Sequence, residues 1–590
     1  MIIMNAISTH VGALRAWMET NEIDCFIVPT ADPHGSEYLP EHWKCREWLT
    51  GFTGSAGTAV ITLEQAALWT DSRYFLQAAE QLSATPFELM REGEKGTPSV
   101  VEWLAGMKNV ATVGAPAVMV MLGYGDAFED DYKFVYTDDP FDIIWSSRPA
   151  LPGGKIVAQN SEYTALSADE KVKKMLETIP EDGVLLLTDL SEIAWTLNLR
   201  GSDIAYNPVF LSYLFLSYEK CVLCVDADKL TASALDVLKQ AHVSVRSYAD
   251  LMPVLSEFSA IKRQFFVYES TNALICNHLK KNKIDFFVQS SQISPLKAVK
   301  DECEQAGFRL AMERDGVALV QFRRWFDESL QRGDVLTEQD VDSRLTAFRA
   351  AQKGFESLSF ATIAASGAHG AIVHYEADPD AATPLPNRGF MLLDSGAQYD
   401  CGTTDITRTL PLGSLTEEER RVYTFVLKAH IGLARLRFPE GTNGLQVDTA
   451  ARAPLWQAGY DFGHGTGHGV GSHLCVHEGP HQIRKDKRPC TIVALRPGMT
   501  VTDEPGVYIE GSFGVRLENV LLVRTASDGF LEFEALTLCP FDVEPIIKEL
   551  LTHEELSYLN AYHAEVHHRL LPLLTDEADK QWLQAATQPI

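Results

Sequence analysis

Two stretches of the chain, GFMLLDSGAQYDCGTTDITRTL (389–410) and VTDEPGVYIEGSFGVRLENVLL (501–522), read as β-rich runs doubled back on a turn. Each carries acidic residues on both sides of its turn. A turn centred between Tyr399 and Asp400 places Asp394 directly opposite Asp405, with both side chains on one face. A turn centred on Gly511 does the same for Glu504 and Glu518, and it sets Arg516 and Glu518 two residues apart on one strand face. Like charges facing across a strand pair destabilise it unless a cation sits between them. One aspartate turned out to solvent would explain the first pair alone. It does not explain the second, whose strands are flanked by Val and Leu. A fold is therefore expected in which two hairpins each bring a pair of carboxylates together.

Between the hairpins lies FGHGTGHGVGSHLCVHEGPH (462–481), with five histidines. His464 and His468 are four apart, but glycines surround them and no glutamate follows His464, so the helical zinc motif H-E-x-x-H is absent. The glycines predict a turning backbone that presents imidazoles into a cleft. His473 and His481 read as surface or structural residues. Four carboxylates with one imidazole form a hard, oxygen-rich ligand set, better suited to Mn²⁺ or a similar divalent ion than to a thiolate zinc site. Carboxylates can bridge two ions about 3.5–4 Å apart, and a water held there would be acidified to a hydroxide nucleophile. Metal-assisted hydrolysis of an acyl compound is the reaction class this implies.

The rest of the chain reads as two similar α/β domains in tandem, followed by a third domain. In the first, 1–150, the helical STHVGALRAWMET precedes the apolar strand IDCFIVP, the Gly-rich GFTGSAG and the strands TAVITL and AALWT. A Pro/Gly-dense linker, SSRPALPGGK (146–155), follows. The second, 151–297, opens a helix at a capping box, Ser167 with Glu170, and continues into the buried strand GVLLLTD. The third, 298–590, begins with a long helical pattern. It has a second capping box at Thr416 and Glu419, whose helix puts Val422, Phe425, Val426, Ala429, Leu433 and Leu436 on one face until Pro439 and Gly441 stop it. It ends in a helical stretch, LTHEELSYLNAYHAEVHHRLLPLL, read as a packing or dimer element. The fold class is thus α/β (α+β).

Charge and cysteine usage narrow the partners. The formal net charge is −29, which repels phosphate backbones and anionic membrane surfaces, so neither nucleic acid nor membrane is expected as a partner. No basic n-region and no run of about 18 apolar residues is seen. Ten scattered cysteines in so long a chain fit a reducing cytoplasm rather than a disulfide framework. The one C-x-x-C, Cys221 to Cys224, lies in a strand-like run and would point its thiols to opposite faces.

The segments SGAHGAIVHYEA, LLDSGAQYDCGTTDITRTLPLG, GHGTGHGVGSHLCVHEGP and VTDEPGVYIEGSFGVRLENV resemble the pita-bread metallopeptidases, above all the long, three-domain aminopeptidase P (Xaa-Pro aminopeptidase) type. WTDSRYFLQA near residue 70 and ISPLKAVKDECE near 295 extend the likeness over nearly the whole chain. The resemblance implies that Asp394, Asp405, His468, Glu504 and Glu518 hold two divalent metal ions, with Asp405 and Glu518 as bridges and Mn²⁺ the usual activator. It implies catalytic or substrate-lining roles for His374, His464 and His477, and site-lining roles for Arg516 and Tyr508. It implies peptides with proline at the second position as substrates, release of the first amino acid, and a homodimer. Cys401, in the turn between the two aspartates, departs from the small or acidic residue usual there, which would make the activity oxidation-sensitive. A prolidase-type dipeptidase shares fold and ligands but normally has one leading α/β domain. A non-catalytic peptide-binding relative would have lost ligands, and none is lost here.

Overall fold

The computed structural model of the chain describes residues 2–261, 263–375, 377 and 383–590. It divides into two compact units, one of residues 1–159 and 166–293, the other of 160–165 and 294–590.

The first unit holds two six-stranded sheets built to one plan. In the first sheet the strands lie in the order Glu88–Arg91, Ala66–Thr70, Thr58–Thr62, Cys25–Pro29, Thr112–Pro116 and Lys133–Thr137. In the second the order is Val243–Arg246, Cys221–Cys224, Tyr213–Leu216, Gly183–Leu187, Gln264–Tyr268 and Phe286–Gln289. Both run parallel, antiparallel, antiparallel, parallel, parallel across the sheet. Tandem domains of like construction are what the repeated order of sequence signals called for. The central strands CFIVP and GVLLL are almost wholly buried, as strands covered on both faces must be. Cys221 and Cys224 sit at the two ends of one buried strand as free thiols.

The second unit pairs its strands in antiparallel fashion throughout the named ladders. Helices pack around them. The longest, Glu302–Arg332, starts at Asp301, whose carboxylate and Glu304 form a reciprocal capping box. The capping box at Thr416 and Glu419 opens the helix Glu417–Ala434, which buries Val422, Val426, Ala429 and Leu433. That helix ends well before Pro439, so the apolar period at Leu436 continues past the last helical turn. Its buried face meets Val507, Phe513 and Val515 of the hairpin 506–516 and Leu559, Val566 and Leu570 of the C-terminal helix His553–Leu570 in one core.

The two carboxylate hairpins differ from each other in register. In the second, Gly506 pairs with Arg516 and Asp503 with Asn519. Glu504 and Glu518 therefore sit opposite one another about Gly511, in the gap between the two ladders. In the first, Tyr399 pairs with Gly402, so the turn closes over Asp400 and Cys401, and Asp394 faces Thr407 rather than Asp405. The turn centre lies one residue later than the sequence implied. That moves each partner by two positions and leaves the faces unchanged. The strand also breaks around Gly396 and at Thr404–Asp405, which frees Asp405 from the ladder.

Candidate metal centre

Asp394 is the next-to-last residue of the buried strand Phe390–Ser395. Its Oδ2 accepts from Arg516 Nη2 at 2.6 Å, while Oδ1 is buried with no protein hydrogen-bond partner. Glu518 Oε2 accepts from Thr407 Oγ1 at 2.8 Å. Asp405, His468 and Glu518 offer ligand atoms that all lie within 4.8 Å of one another.

His468 explains its glycine neighbours. It lies on the short strand Gly467–Gly469, paired with Glu478–Ile483, and its amide donates to Thr502 Oγ1 at 3.0 Å. A Cβ on Gly467 would stand 1.9 Å from the Thr502 carbonyl, and one on Gly469 would stand 2.4 Å from that of Glu478. These two glycines thus allow backbones to meet closely, while the bends and turns of the segment lie on either side of them, at Gly463–His464 and Ser472–His473.

The protonation of His468 decides what the site can hold. Nδ1 lies 2.9 Å from the Gly469 carbonyl, which can only accept, so Nδ1 carries the proton. In the neutral ring Nε2 then presents a lone pair. It faces Asp405 Oδ2 at 3.6 Å and Glu504 Oε1 at 3.7 Å. Those distances exceed a hydrogen bond and set a lone pair against two anions. A cation among them removes the conflict. The protein groups alone also strain one another. Burial, then Asp394 and Glu504, raises the Asp405 carboxyl well above its ordinary range. Burial, then Asp405 and Asp394, does the same to Glu518. Glu504 is pushed up to about 7 by burial and by Asp394, against the pull of Arg516. Hard oxygen donors plus one imidazole with a fixed tautomer fit divalent metal ions.

Around these ligand candidates a second set of side chains is wired together. His464 Nδ1–H donates to the Gly465 carbonyl at 2.7 Å, so Nε2 accepts from the Tyr508 hydroxyl at 2.7 Å. The Tyr508 oxygen in turn accepts from Arg516 Nη1 at 2.7 Å. Burial, then the Arg516 charge, holds the His464 pKa down to about 3. His477 packs edge-on against His468, ring centres 4.4 Å apart. His374 is half-buried, and the carbonyl of its neighbour Val373 lies 3.4 Å from Arg516 Nη2. His473, buried on Glu356, and His481, buried on the Thr500 carbonyl, both hold structure.

Several neighbours carry no sequence signal of their kind. Thr407 and Thr502 look like ordinary strand threonines. Arg408 is different: a charge inside the apolar strand ITRTLP was legible as an anomaly. Lys297 and Lys300, both buried on Glu478 next to His477, could have been read from their place in an otherwise apolar turn. Cys401 is fully buried and its thiol is pushed up to about 12, chiefly by burial, which works against oxidation of this turn.

The comparisons with known proteins agree with this architecture along the chain. Models of the creatinase/prolidase N-terminal domain match residues 11–138 and 147–304. The model of metallopeptidase family M24 matches 306–525, and that of the C-terminal region of peptidase M24 matches 529–590. Aminopeptidase P2 of Arabidopsis thaliana is 38% identical over 96% of this chain and 86% of its own. Xaa-Pro aminopeptidase 1 of Dictyostelium discoideum is 36% identical over 99% and 97%. Among solved structures, an X-prolyl aminopeptidase from Caenorhabditis elegans, described as a cytosolic enzyme with a di-nuclear active site, superimposes with a TM-score of 0.93 at 32% identity, covering 99% of this chain and all of its own. Two creatinase/prolidase-type domains followed by an M24 pita-bread domain, with whole-length relatives of this kind, place the chain in the aminopeptidase P family of M24 metallopeptidases.

Proposed function

We propose that this chain is a metal-dependent aminopeptidase that hydrolyses the first peptide bond of peptides with proline in second place. The observation that carries it is the meeting of Asp405, His468 and Glu518, whose ligand atoms all lie within 4.8 Å of one another, with His468 Nε2 also 3.7 Å from Glu504 Oε1. Asp394, Asp405, His468, Glu504 and Glu518 would hold two divalent ions, with Asp405 and Glu518 shared between them and Mn²⁺ the metal that suits the donors. When bound, the ions would supply Lewis acidity toward the scissile carbonyl and lower the pKa of an attacking water.

The remaining roles belong to side chains. Arg516 holds Asp394 in place through Oδ2 and leaves Oδ1 for a ligand role. Thr407 does the same for Glu518. His477, edge-on to His468, is set to stabilise charge that develops on the reacting amide. His374 serves as a proton carrier or hydrogen-bond donor to the reacting amide. His464 and Tyr508 line the substrate site. The domain boundaries 1–150, 151–297 and 298–590, a homodimer and a cytoplasmic location complete the proposal. All ten cysteines are free thiols, which supports a reducing compartment. No helix among the described residues is long and apolar enough to cross a membrane.

The test has two arms. Protein loaded with excess Mn²⁺ and desalted is expected to hold near two ions per chain, and Asp405→Ala to lose most of them. A fully loaded, active Asp405→Ala variant would sink the ligand assignment. A digest with Mn²⁺ of X-Pro dipeptides, X-Pro-Y peptides and their acetylated forms reads the specificity. Cleavage of the free X-Pro-Y peptides alone or with the dipeptides supports the proposal; cleavage of dipeptides alone points to a prolidase.

A further inference from the structure

Arg408 is a buried guanidinium surrounded by neutral oxygens. Its Nη1 donates to the carbonyls of Thr407 at 2.9 Å and Glu518 at 2.7 Å. Its Nη2 donates to Asn519 Oδ1 at 2.8 Å, to the Cys539 carbonyl at 2.7 Å and to the Tyr562 hydroxyl at 3.1 Å. The group lies 4.0 Å over the Phe541 ring. Tyr562 belongs to the C-terminal helix His553–Leu570, and its own proton goes to the carbonyls of Thr537 and Cys539, each 2.9 Å away. From Asn519 the web continues. Its Nδ2 donates to His430 Nε2 at 3.3 Å, and His430 Nδ1 donates to the Asp503 carbonyl at 3.1 Å.

The web reaches the chain beside three of the five ligand candidates. Arg408 lies three residues after Asp405, Asn519 follows Glu518, and Asp503 precedes Glu504. Thr407, whose carbonyl Arg408 holds, is the residue whose hydroxyl orients Glu518. A guanidinium is a rigid planar fork of donors, so fixing it fixes all the carbonyls it touches. Partners outside the ligand shell typically change metal affinity by about 10–100-fold when removed.

We propose that Arg408, seated by Tyr562, is a positioning residue of the metal centre, through which the C-terminal helix sets how Asp405, Glu504 and Glu518 meet the ions. This rests on those residues being the ligands. The helical C-terminal region is then part of the site's machinery and not packing alone.

Mn²⁺ affinity, measured by competition with a chelator in the full chain, tests it. Arg408→Lys keeps the charge and loses the fork; it is expected to weaken Mn²⁺ binding by about 10–100-fold. Tyr562→Phe removes one hydroxyl, and a loss of several-fold is expected. Arg569→Met cuts another tie of the same helix, to Glu313 at 3.0 Å, and is expected to bind Mn²⁺ within about twofold of the unaltered protein. Metal-free Tyr562→Phe should melt close to the parent, while its melting temperature rises less when Mn²⁺ is added. Unchanged affinity in Tyr562→Phe overturns the proposal, as does an equal loss in Arg569→Met. Should Arg408→Lys not fold, Tyr562→Phe decides alone. Asp405→Ala separates the two layers: if it keeps Mn²⁺ the ligand reading fails, and if it loses Mn²⁺ while Tyr562→Phe does not, only this inference fails.

Discussion

Tyr508 gives its only proton to Nε2 of His464 at 2.7 Å, and the direction is forced because the other ring nitrogen already donates to the Gly465 carbonyl. The phenol oxygen is thereby left to receive Arg516, which also holds Asp394. One hydroxyl thus links His464, proposed to line the substrate site, to a ligand candidate. A hydrogen bond to a charged group contributes about 1.5–3 kcal/mol, and each 1.36 kcal/mol on a barrier is tenfold in rate. Tyr508→Phe should lower kcat/KM by about 10–100-fold while elemental analysis finds the metal content unchanged. Loss of metal in step with activity would show that Tyr508 acts on Asp394 and not on the substrate side.

Glu478 is clasped by Lys297 at 2.9 Å and by Lys300, all three side chains buried. Burial raises the carboxyl, but the two ammonium groups outweigh it and its pKa lies below the ordinary 4.5. For a depressed carboxyl, the stability it contributes is present above the unfolded pKa and is lost as pH falls through the folded one. Removing one member of a buried ion pair costs about 3–5 kcal/mol. Denaturant unfolding of metal-free Glu478→Gln at pH 7 should therefore show a loss of that order. The gap between the two proteins should close as the pH is taken from about 5 downward. A gap that is constant over that range would mean that Glu478 contributes by shape alone.

How far these features could be read from the sequence differs by residue. Glu504 and Glu518 were placed by symmetry about Gly511, because that hairpin keeps one register on both sides of the gap. Asp394 and Asp405 were recognised as partners but set in the wrong register, since the turn residues Tyr399 to Gly402 allow two centres and only packing chooses between them. The tandem sheets were legible because a strand buried on both faces shows as a continuous apolar run. Thr407 and Asn519 were not, and Arg408 showed only as a charge within an apolar strand, because their partners lie more than a hundred residues away in the chain. Hydrogen bonds of that span leave no local pattern.

Cys401 supplies a check on the turn that joins the two aspartates. Its sulfur is fully buried and lies 3.3 Å from Arg314 Nη1. The thiolate is the reactive form, and here burial, helped by Asp400 and opposed by Arg314, holds the thiol pKa near 12. Cys303, Cys475 and Cys490 are only half-buried. Brief alkylation of the native protein followed by peptide mapping should label those three and spare Cys401, with activity retained in proportion to what Cys401 keeps. Early labelling of Cys401 would mean that this turn opens in solution.

Selectivity for proline should be finite and calculable. The nitrogen of an X-Pro bond carries no hydrogen, so a site shaped for it need provide no acceptor there and can pack apolar groups about the ring. A secondary amide in the same place buries an N–H with no partner, at a cost of about 1–3 kcal/mol. At 1.36 kcal/mol per decade that is about 5–150-fold in kcat/KM. X-Ala-Y peptides should therefore be poor substrates and not inert ones. N-methylation of the alanine nitrogen removes the offending hydrogen without supplying the ring, so X-(N-methyl)Ala-Y should recover a large part of the difference. Equal kcat/KM for the alanine and N-methylalanine peptides would place the discrimination in contacts with the pyrrolidine ring itself. Equal turnover of X-Pro-Y and X-Ala-Y would show that proline is not what this site selects.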